Sequence, residues 1–263
     1  MLAVILLALL AVILLALLAL SSAEDRIYNG KEAESDLNNV VFIVSRYEDS
    51  SKDTACTGTV ISEHHILTAA HCLEPPPKNL QIYTRDLYHH DKSKLPTPAF
   101  QSESGISHPQ YCKYWHDIAL IKVETSMGIP PVPLAANYSH PKDDWLRVAG
   151  YGNTQYHPKM LMETYLKARS SDDCLDASYK IVYPGSHIIC MYNHGSTVLN
   201  DDSSGGPAFA QGTDGKFYQV GVNADVGPFP IGSIDVSYYC PWIEAVTKNE
   251  VKCQTFKPTP IVP

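Results

Sequence analysis

The sequence predicts an all-β protein with two strand-rich halves and a helix near its carboxyl end. Short runs rich in β-branched and aromatic residues recur along the chain, and 19 prolines and 15 glycines separate them. No long helical period precedes the last part of the chain. A proline-rich stretch at residues 126–144 is typical of a linker and divides the strands into two groups.

The strand prediction rests on apolar runs that are bounded by turn residues. These runs are Val40–Val44, Thr57–Ile61, Leu80–Tyr83, Ile118–Val123, Leu146–Ala149 and Phe217–Val222. A helix is predicted from Pro241 to about Asn249, because proline is tolerated in a first turn. Trp242, Ile243 and Val246 would share its apolar face. Three prolines in residues 257–263 predict a loose tail.

Composition bounds the class of protein. Of the 263 residues, 44% are hydrophobic and 18% are charged, which is an ordinary globular balance. The length fits one large all-β domain or two smaller ones. The net charge is −8 and no basic stripe is present, so nucleic acid is not expected as a partner.

The first 23 residues predict a signal peptide. Leu2–Leu20 is wholly apolar, and the small residues 21–23 that follow suit cleavage after Ala23. An uncleaved membrane anchor is the alternative, because the run is nearly long enough to span a bilayer and no Lys or Arg precedes it. Leu2–Leu9 recurs unchanged as Leu10–Leu17, and one copy alone is a signal core of normal length. The repeat therefore favours a secreted protein.

Seven cysteines follow the leader: Cys56, Cys72, Cys112, Cys174, Cys190, Cys240 and Cys253. In a secreted chain they predict disulfides, and the odd number leaves one that is free or pairs with another chain. The pairs His64-His65 and His89-His90 have no companion ligands at a metal-binding spacing. We therefore expect solvated histidines there and no metal.

Three segments carry residues suited to nucleophilic catalysis: Leu67–Cys72, Asp117–Leu120 and Ser204–Pro207. The first contains His71, and in the second Asp117 opens an apolar strand that can bury a carboxylate beside a histidine. In the third, two glycines after Ser204 allow a tight turn whose backbone N–H groups point at one spot. An attacking hydroxyl needs a base, the base needs a carboxylate to fix its tautomer, and the developing oxyanion needs preorganised donors. The three segments supply these parts.

In this order, the three segments resemble the trypsin/chymotrypsin family of serine proteases. The resemblance covers nearly all of the chain after the leader. Arg26–Gly30 looks like the family's activation site, and Ala149–Gly152 looks like its Gly-Trp-Gly segment. Val236–Tyr239 followed by Trp242-Ile243 resembles the entry to its C-terminal helix.

The resemblance implies a chymotrypsin-like fold of two packed antiparallel six-stranded β-barrels with a C-terminal helix. Barrel one would span about residues 27–130, barrel two about 140–240 and the helix about 241–249, with a tail at 251–263. Residues 24–26 would be a short propeptide. The implied function is a secreted serine endopeptidase, made as a zymogen cut after Arg26, that forms an acyl-enzyme and uses no cofactor. Its partners would be a polypeptide substrate, an activating protease and a protein inhibitor.

Residue roles carry over by position. His71 would be the general base and then the general acid, Asp117 would orient it, and Ser204 would be the nucleophile. The backbone N–H groups of Asp202 and Ser204 would form the oxyanion hole. By the same resemblance, the disulfides would be Cys56–Cys72 and Cys174–Cys190.

The segment before the nucleophile departs from the family pattern. Ser203 stands where the family has an acid, and Asp202 stands where it has a glycine. After cleavage, the ammonium of Ile27 would meet a serine, and a buried charge without its partner costs about 3–5 kcal/mol. Either Asp202 turns inward to pair with Ile27, or activation is weak. A second alignment keeps Asp202-Ser203 as the Asp-Ser pair and treats Ser204 as an insertion.

The specificity pocket also departs from the family. Asn200 replaces a cysteine, and residues 223–227 lack that cysteine's usual partner, which predicts a missing disulfide and a rebuilt pocket. Val198 occupies the position of the trypsin-like aspartate, so a small or apolar pocket is favoured over one for Lys or Arg. These departures keep open a second function: a catalytically weak or inactive homologue that acts as a secreted binding protein.

Two smaller expectations concern residues outside the proposed site. Asn137-Tyr138-Ser139 is a glycosylation sequon in the linker. A Cys112–Cys240 bridge is one arrangement for the cysteines that lie outside the two family bridges.

Overall fold

The computed structural model describes residues 30–85, 97–113, 115–151, 160–170, 187–192, 203–224 and 232–263. Its strands are β1 Lys31–Glu32, β2 Val40–Arg46, β3 Thr54–Val60, β4 His65–Thr68, β5 Asn79–Tyr83, β6 Phe100–Ser102, β7 Ser104–Ser107, β8 Ala119–Lys122, β9 Asp144–Gly150, β10 Met162–Ser170, β11 Ile188–Tyr192, β12 Pro207–Gly212, β13 Phe217–Ala224, β14 Gly232–Asp235 and β15 Pro258–Thr259. Helix α1 spans Val236–Val246. None of the helices in these ranges is long and apolar enough to cross a membrane.

The first sheet closes into a barrel of six strands. Its order is β6-β5-β2-β3-β4-β8-β7, and every pair is antiparallel. β6 and β7 stand at opposite ends of this order, and only Glu103 separates them in the chain. They therefore act as one bent strand that closes the sheet, which gives six strands in the barrel. Val41, Ile43 and Ile66 lie in the core of this barrel, each 0% exposed. Closure leaves no long unpaired strand edge among the described strands of this sheet.

The second sheet forms a closed ring in the order β9-β10-β11-β14-β13-β12, and β9 pairs with both β10 and β12. Two strands of two residues each extend this ring: β1 pairs with β10, and β15 pairs with β12. The fold is therefore two antiparallel six-stranded barrels, as predicted. Each of the six predicted strand runs overlaps a strand, at β2, β3, β5, β8, β9 and β13, and only Ile61, Ile118 and Val123 fall just outside.

The segment that precedes barrel one is attached to barrel two. Lys31 of β1 lies opposite Glu163 of β10, and Ala33 N–H donates to the Leu161 carbonyl at 2.8 Å. The buried guanidinium of Arg147 donates to Glu163 Oε2 at 3.0 Å and to both oxygens of Asp36 at 2.6 and 2.9 Å. This ion-pair network fastens the turn after β1 to barrel two.

The linker crosses between the barrels without long regular elements and is tied to both. Val132 N–H donates to the Val60 carbonyl of barrel one at 3.0 Å, and Ala135 N–H donates to the Gln219 carbonyl of barrel two at 3.0 Å. The two groups of strands predicted from the sequence lie on either side of this crossing.

Helix α1 begins five residues earlier than predicted. The side chain of Asp235 caps it by accepting from Ser237 N–H at 3.0 Å. Pro241 is therefore inside the helix rather than in its first turn. The helix continues past it because Tyr239 and Ile243 are buried in the core, and tertiary packing outweighs one lost backbone hydrogen bond. Trp242 and Val246 pack partly buried against the same core as Ile243, as the shared face predicted.

The last residues of the chain are held against barrel two, contrary to the expectation of a loose tail. A disulfide joins Cys240 in α1 to Cys253. Phe256 stacks on Tyr218 with ring centroids 4.1 Å apart, and Thr259 pairs with Gln211 of β12. The prediction of a loose tail from its prolines was wrong, because proline is compatible with a short strand at the edge of a sheet.

Candidate active site

His71 lies in a short 3-10 helix, Ala70–Leu73, immediately after β4. The next residue, Cys72, forms a disulfide with Cys56 of β3, with an S–S distance of 2.01 Å. This bridge ties the histidine segment to the barrel, as the family resemblance implied. The His71 side chain is 33% exposed, so the ring is open to a substrate.

Asp117 is buried and uses both carboxylate oxygens on His71. Oδ2 lies 2.6 Å from His71 Nδ1, and Oδ1 accepts from the His71 backbone N–H at 2.8 Å. Strand pairing brings the two residues together, because Thr68 at the end of β4 lies opposite Ala119 at the start of β8. A carboxylate at Nδ1 favours the tautomer with its proton on Nδ1, which makes Nε2 the basic nitrogen.

Ser204 lies in the tight turn that leads into β12. Gly205 has φ +80°, in the left-handed region that favours glycine, and its N–H donates to the Asn223 carbonyl at 2.7 Å. A Cβ at Gly205 would collide with the Thr68 hydroxyl and the Thr57 carbonyl. The Ser204 carbonyl accepts from Thr57 N–H at 2.9 Å, which joins the turn to barrel one beside the histidine.

The disulfide sulfur of Cys72 lies between the histidine and the serine. It is 3.8 Å from His71 Nε2 and 3.9 Å from the Ser204 carbonyl oxygen. The structure thus brings His71, Asp117 and Ser204 into one cluster where the two barrels meet. A base, an orienting carboxylate and a serine in this order have the chemical parts of an acyl-transfer site.

Ser203 and Ser204 have different surroundings. Ser203 is 1% exposed, and a Cβ on Gly150 would lie 3.1 Å from its hydroxyl oxygen. Among the described residues, the Ser203 hydroxyl has no hydrogen-bond partner. Ser204 is half-buried and therefore more accessible. The surroundings favour Ser204 over Ser203 as the residue that a substrate reaches.

Several site expectations lie outside the described residues: Arg26, Ile27, Cys174, Val198, Asn200 and Asp202. Cys190 is disulfide-bonded. Asn137 is exposed with φ +52°, a backbone conformation that asparagine tolerates.

The remaining cysteines correct one expectation. Cys240 pairs with Cys253, so the Cys112–Cys240 bridge is wrong, and Cys112 is free and exposed. Sequence spacing left this choice open, because the contact depends on how the chain returns after α1.

The prediction that His64 and His65 are both solvated is also wrong for His65. His65 is buried, with Nδ1 2.9 Å from the Ser62 hydroxyl and 3.3 Å from Glu250 Oε2. Burial lowers the pKa of His65. His64 Nδ1 lies 3.1 Å from the other oxygen of Glu250, which comes from the segment after α1. The second doublet, His89-His90, lies outside the described residues.

Within the described part of the chain, one group of side chains has the spacing of metal ligands: Cys56, His71 and Cys72. Both cysteines belong to a disulfide and offer no thiolate, so this group does not fit a metal ion.

A set of packed aromatic rings lies next to Asp117, and the sequence did not predict it. His116 is buried, and its Nδ1 lies 2.9 Å from the hydroxyl of Tyr239 in α1. Its ring stacks on His108 and on Trp115, with centroids 4.8 and 4.9 Å apart. The signal in the sequence was the placement of His116 directly before Asp117, but its hydrogen-bond partner lies 123 residues further along the chain.

The two closed barrels and the histidine–aspartate–serine cluster between them define the fold class of the chymotrypsin-like proteases. A family model described as Trypsin matches residues 27–243, most of the chain. The chain therefore belongs to the trypsin family.

Relatives and solved structures agree with this assignment. A venom serine protease of Polistes dominula is 26% identical over 248 residues, which cover 87% of this chain and 88% of that protein. Venom serine protease 34 of Apis mellifera is 30% identical over 224 residues, but the match spans only 53% of that protein and 75% of this chain. The structure of HL collagenase superposes with a TM-score of 0.64 at 25% identity and covers 84% of this chain and 98% of that one.

Proposed function

We propose that this chain is a serine endopeptidase that hydrolyses peptide bonds through an acyl-enzyme. The observation that carries the proposal is the double engagement of Asp117 with His71, beside the Ser204 turn. Venom serine proteases among its relatives support the same reaction class.

In the proposed mechanism, His71 Nε2 takes the proton of the Ser204 hydroxyl as the oxygen attacks the scissile carbonyl. Asp117 holds the Nδ1–H tautomer and stabilises the imidazolium that forms. The protonated His71 then gives its proton to the leaving amine, and the acyl group remains on Ser204. Water attacks this ester with His71 again as base, which releases the acid and restores the hydroxyl. We assign the oxyanion donors to the backbone N–H groups of Ser204 and Asp202.

The proposal includes secretion and activation by cleavage. Residues 1–23 would be removed as a signal peptide, and a cut after Arg26 would release Ile27 as the new amino terminus. N-terminal sequencing of material from the medium tests both steps. A start at Glu24 or Ile27 supports them, whereas retention of residues 1–23 in a membrane fraction contradicts secretion.

A fluorophosphonate probe tests the activity, applied before and after cleavage following Arg26. Labelling that disappears in Ser204→Ala and persists in Ser203→Ala supports the proposed nucleophile. Labelling that persists in Ser204→Ala and vanishes in Ser203→Ala moves the nucleophile to Ser203. An absence of labelling in both cleavage states contradicts the enzyme.

The second candidate function is an inactive homologue that binds a protein ligand. The buried Ser203 hydroxyl, without a described partner where the family has an acid, favours this candidate. Failure of the cleaved protein to react with the probe, together with intact folding, would support it.

We further propose a small or apolar specificity pocket, since Val198 replaces the acidic residue that selects Lys or Arg. A peptide library with varied residues before the cleavage point tests this. Preference for small or apolar residues supports the proposal, and preference for Lys or Arg contradicts it.

A further inference from the structure

The backbone around Asp117 is held in a tight turn that begins at His116. Ile118 N–H donates to the His116 carbonyl at 2.8 Å, so Asp117 is the middle residue of a three-residue turn. His116 has φ +52°, a left-handed conformation that is strained for a residue other than glycine. Such a conformation persists only when surrounding contacts enforce it.

The contacts of the His116 ring supply that constraint. The ring lies between Trp115 and His108, with interplanar angles of 21° and 20°. Its Nδ1 is joined to the Tyr239 hydroxyl by a buried hydrogen bond of 2.9 Å. His108 is fixed in turn, because its N–H donates to the Ile118 carbonyl at 2.9 Å. The ring therefore has defined neighbours on both faces and at one edge.

Tyr239 connects this turn to helix α1. It is 2% exposed, and the next residue, Cys240, is covalently joined to Cys253. Burial raises the pKa of Tyr239 and lowers the pKa of His116, so both groups are neutral near pH 7. A hydrogen bond between two neutral buried groups is costly to break, because each would lose its partner away from water.

We propose that His116 and Tyr239 are positioning residues for the reaction: their hydrogen bond holds the turn that aims the Asp117 carboxylate at His71. This inference rests on the proposed endopeptidase function. Neither residue touches the substrate; both act through Asp117. Misplacement of a catalytic group by about 1 Å can cost on the order of 100-fold in rate.

Tyr239→Phe is the direct test, because it removes one hydroxyl and keeps the ring. We expect kcat for peptide hydrolysis to fall about 10-fold or more while KM stays within about twofold, since substrate contacts are unchanged. Tyr238→Phe is the matched control: Tyr238 is the preceding residue on α1, is 48% exposed and stacks on His187. It should leave kcat unchanged.

His116 gives a second pair of variants. His116→Ala should lower kcat as Tyr239→Phe does, and the double variant should lose no more than the stronger single one. His116→Asn should restore at least half of the activity, because asparagine tolerates the left-handed backbone and offers an amide to Tyr239. This rescue also keeps the test valid if Tyr239→Phe fails to fold.

The proton between His71 Nδ1 and Asp117 gives a readout that needs no turnover. Its NMR resonance should lie far downfield in the wild-type protein and broaden or move upfield in Tyr239→Phe, but not in Tyr238→Phe. An unchanged resonance and unchanged kcat in Tyr239→Phe overturn the positioning role. A wild-type protein with no hydrolysis and no probe labelling overturns the proposed function instead, and the resonance then still decides the positioning role.

Discussion

One carboxylate, that of Asp117, accepts two hydrogen bonds from one residue: His71 Nδ1 at 2.6 Å and the His71 backbone N–H at 2.8 Å. The two bonds fix both the rotation of the imidazole ring and its distance from β8. The catalytic geometry therefore depends on the pairing of β4 with β8 as much as on the side chains.

Asp117→Asn should lower kcat by about 10⁴. The asparagine amide would favour the wrong histidine tautomer and leave Nε2 without its basic lone pair. Hydrolysis of a peptide substrate measures the effect, with circular dichroism as the check on folding. Asp53→Asn, at the Arg46 ion pair in barrel one, is the control and should leave kcat unchanged. A loss of less than about tenfold for Asp117→Asn would contradict the assigned role.

Gly205→Ala should abolish probe labelling and destabilise the fold. The new Cβ meets the Thr68 hydroxyl and the Thr57 carbonyl in a backbone conformation of φ +80°. Gly215→Ala is the matched control, because Gly215 has φ +81° but a Cβ added there would have no neighbouring atom within 4 Å. The control should cost about 1–2 kcal/mol in urea unfolding and keep labelling. Equal effects of the two substitutions would show that backbone strain alone, and not the close approach, matters.

Arg147→Met should destabilise the protein by about 3–5 kcal/mol, because it removes the buried ion partner of the Glu163 carboxylate and leaves it only the exposed ammonium of Lys31. Arg147→Met combined with Glu163→Met should recover part of this loss, since the buried carboxylate that lost its buried partner is then removed as well. Urea unfolding measures both. Lys78→Met, at the exposed pair with Glu48, is the control and should leave the midpoint unchanged. A double variant less stable than Arg147→Met would refute the explanation.

Replacement of both Cys240 and Cys253 by serine should lower the free energy of unfolding by about 2–4 kcal/mol. The expected first step of unfolding is release of the segment that carries Phe256 and β15 from barrel two. Hydrogen exchange at Thr259 and Gln211 should report it. Cys112→Ser is the control, since that thiol is exposed and free. Unchanged exchange in the double variant would mean that the tail is held without the bridge.

Stability should fall as the pH drops below about 6.5, the ordinary histidine pKa. Burial lowers the pKa of His65, His108, His116 and His140 in the folded state. The unfolded chain then binds more protons than the folded chain below the ordinary histidine pKa, so stability decreases with decreasing pH. Urea midpoints measured above and below this pKa test the dependence. His140→Gln should flatten it, and a midpoint that rises on acidification would contradict it.

The strands and the site cluster could be predicted from the sequence because both leave local signals. Strand β2 is a continuous apolar run, and the segments of His71, Asp117 and Ser204 each have characteristic neighbours in sequence. These patterns can be recognised from neighbouring residues alone, without knowing which distant residues they contact in the fold.

The features that were missed depend on contacts between distant parts of the chain. His65 is buried where Glu250, near the other end of the chain, returns to it after α1. The start of α1 was placed too late because burial of Tyr239, rather than the local position of Pro241, decides where the helix can form. The partner of Cys240 could likewise not be chosen from the sequence, because it depends on the path that the chain takes after α1 to bring Cys253 back to the helix.

The strand β1, which precedes barrel one, belongs to barrel two, and Glu250, which follows barrel two, contacts His64 of barrel one. Each barrel is thus contacted by a terminal segment that is adjacent in sequence to the other barrel. Halves expressed separately after a cut at the linker would each lack the terminal segment that packs on them. The two fragments mixed together retain all of these contacts, so we expect them to reassemble. The smallest independently folding unit expected of this chain is therefore the pair of barrels, and not either barrel alone.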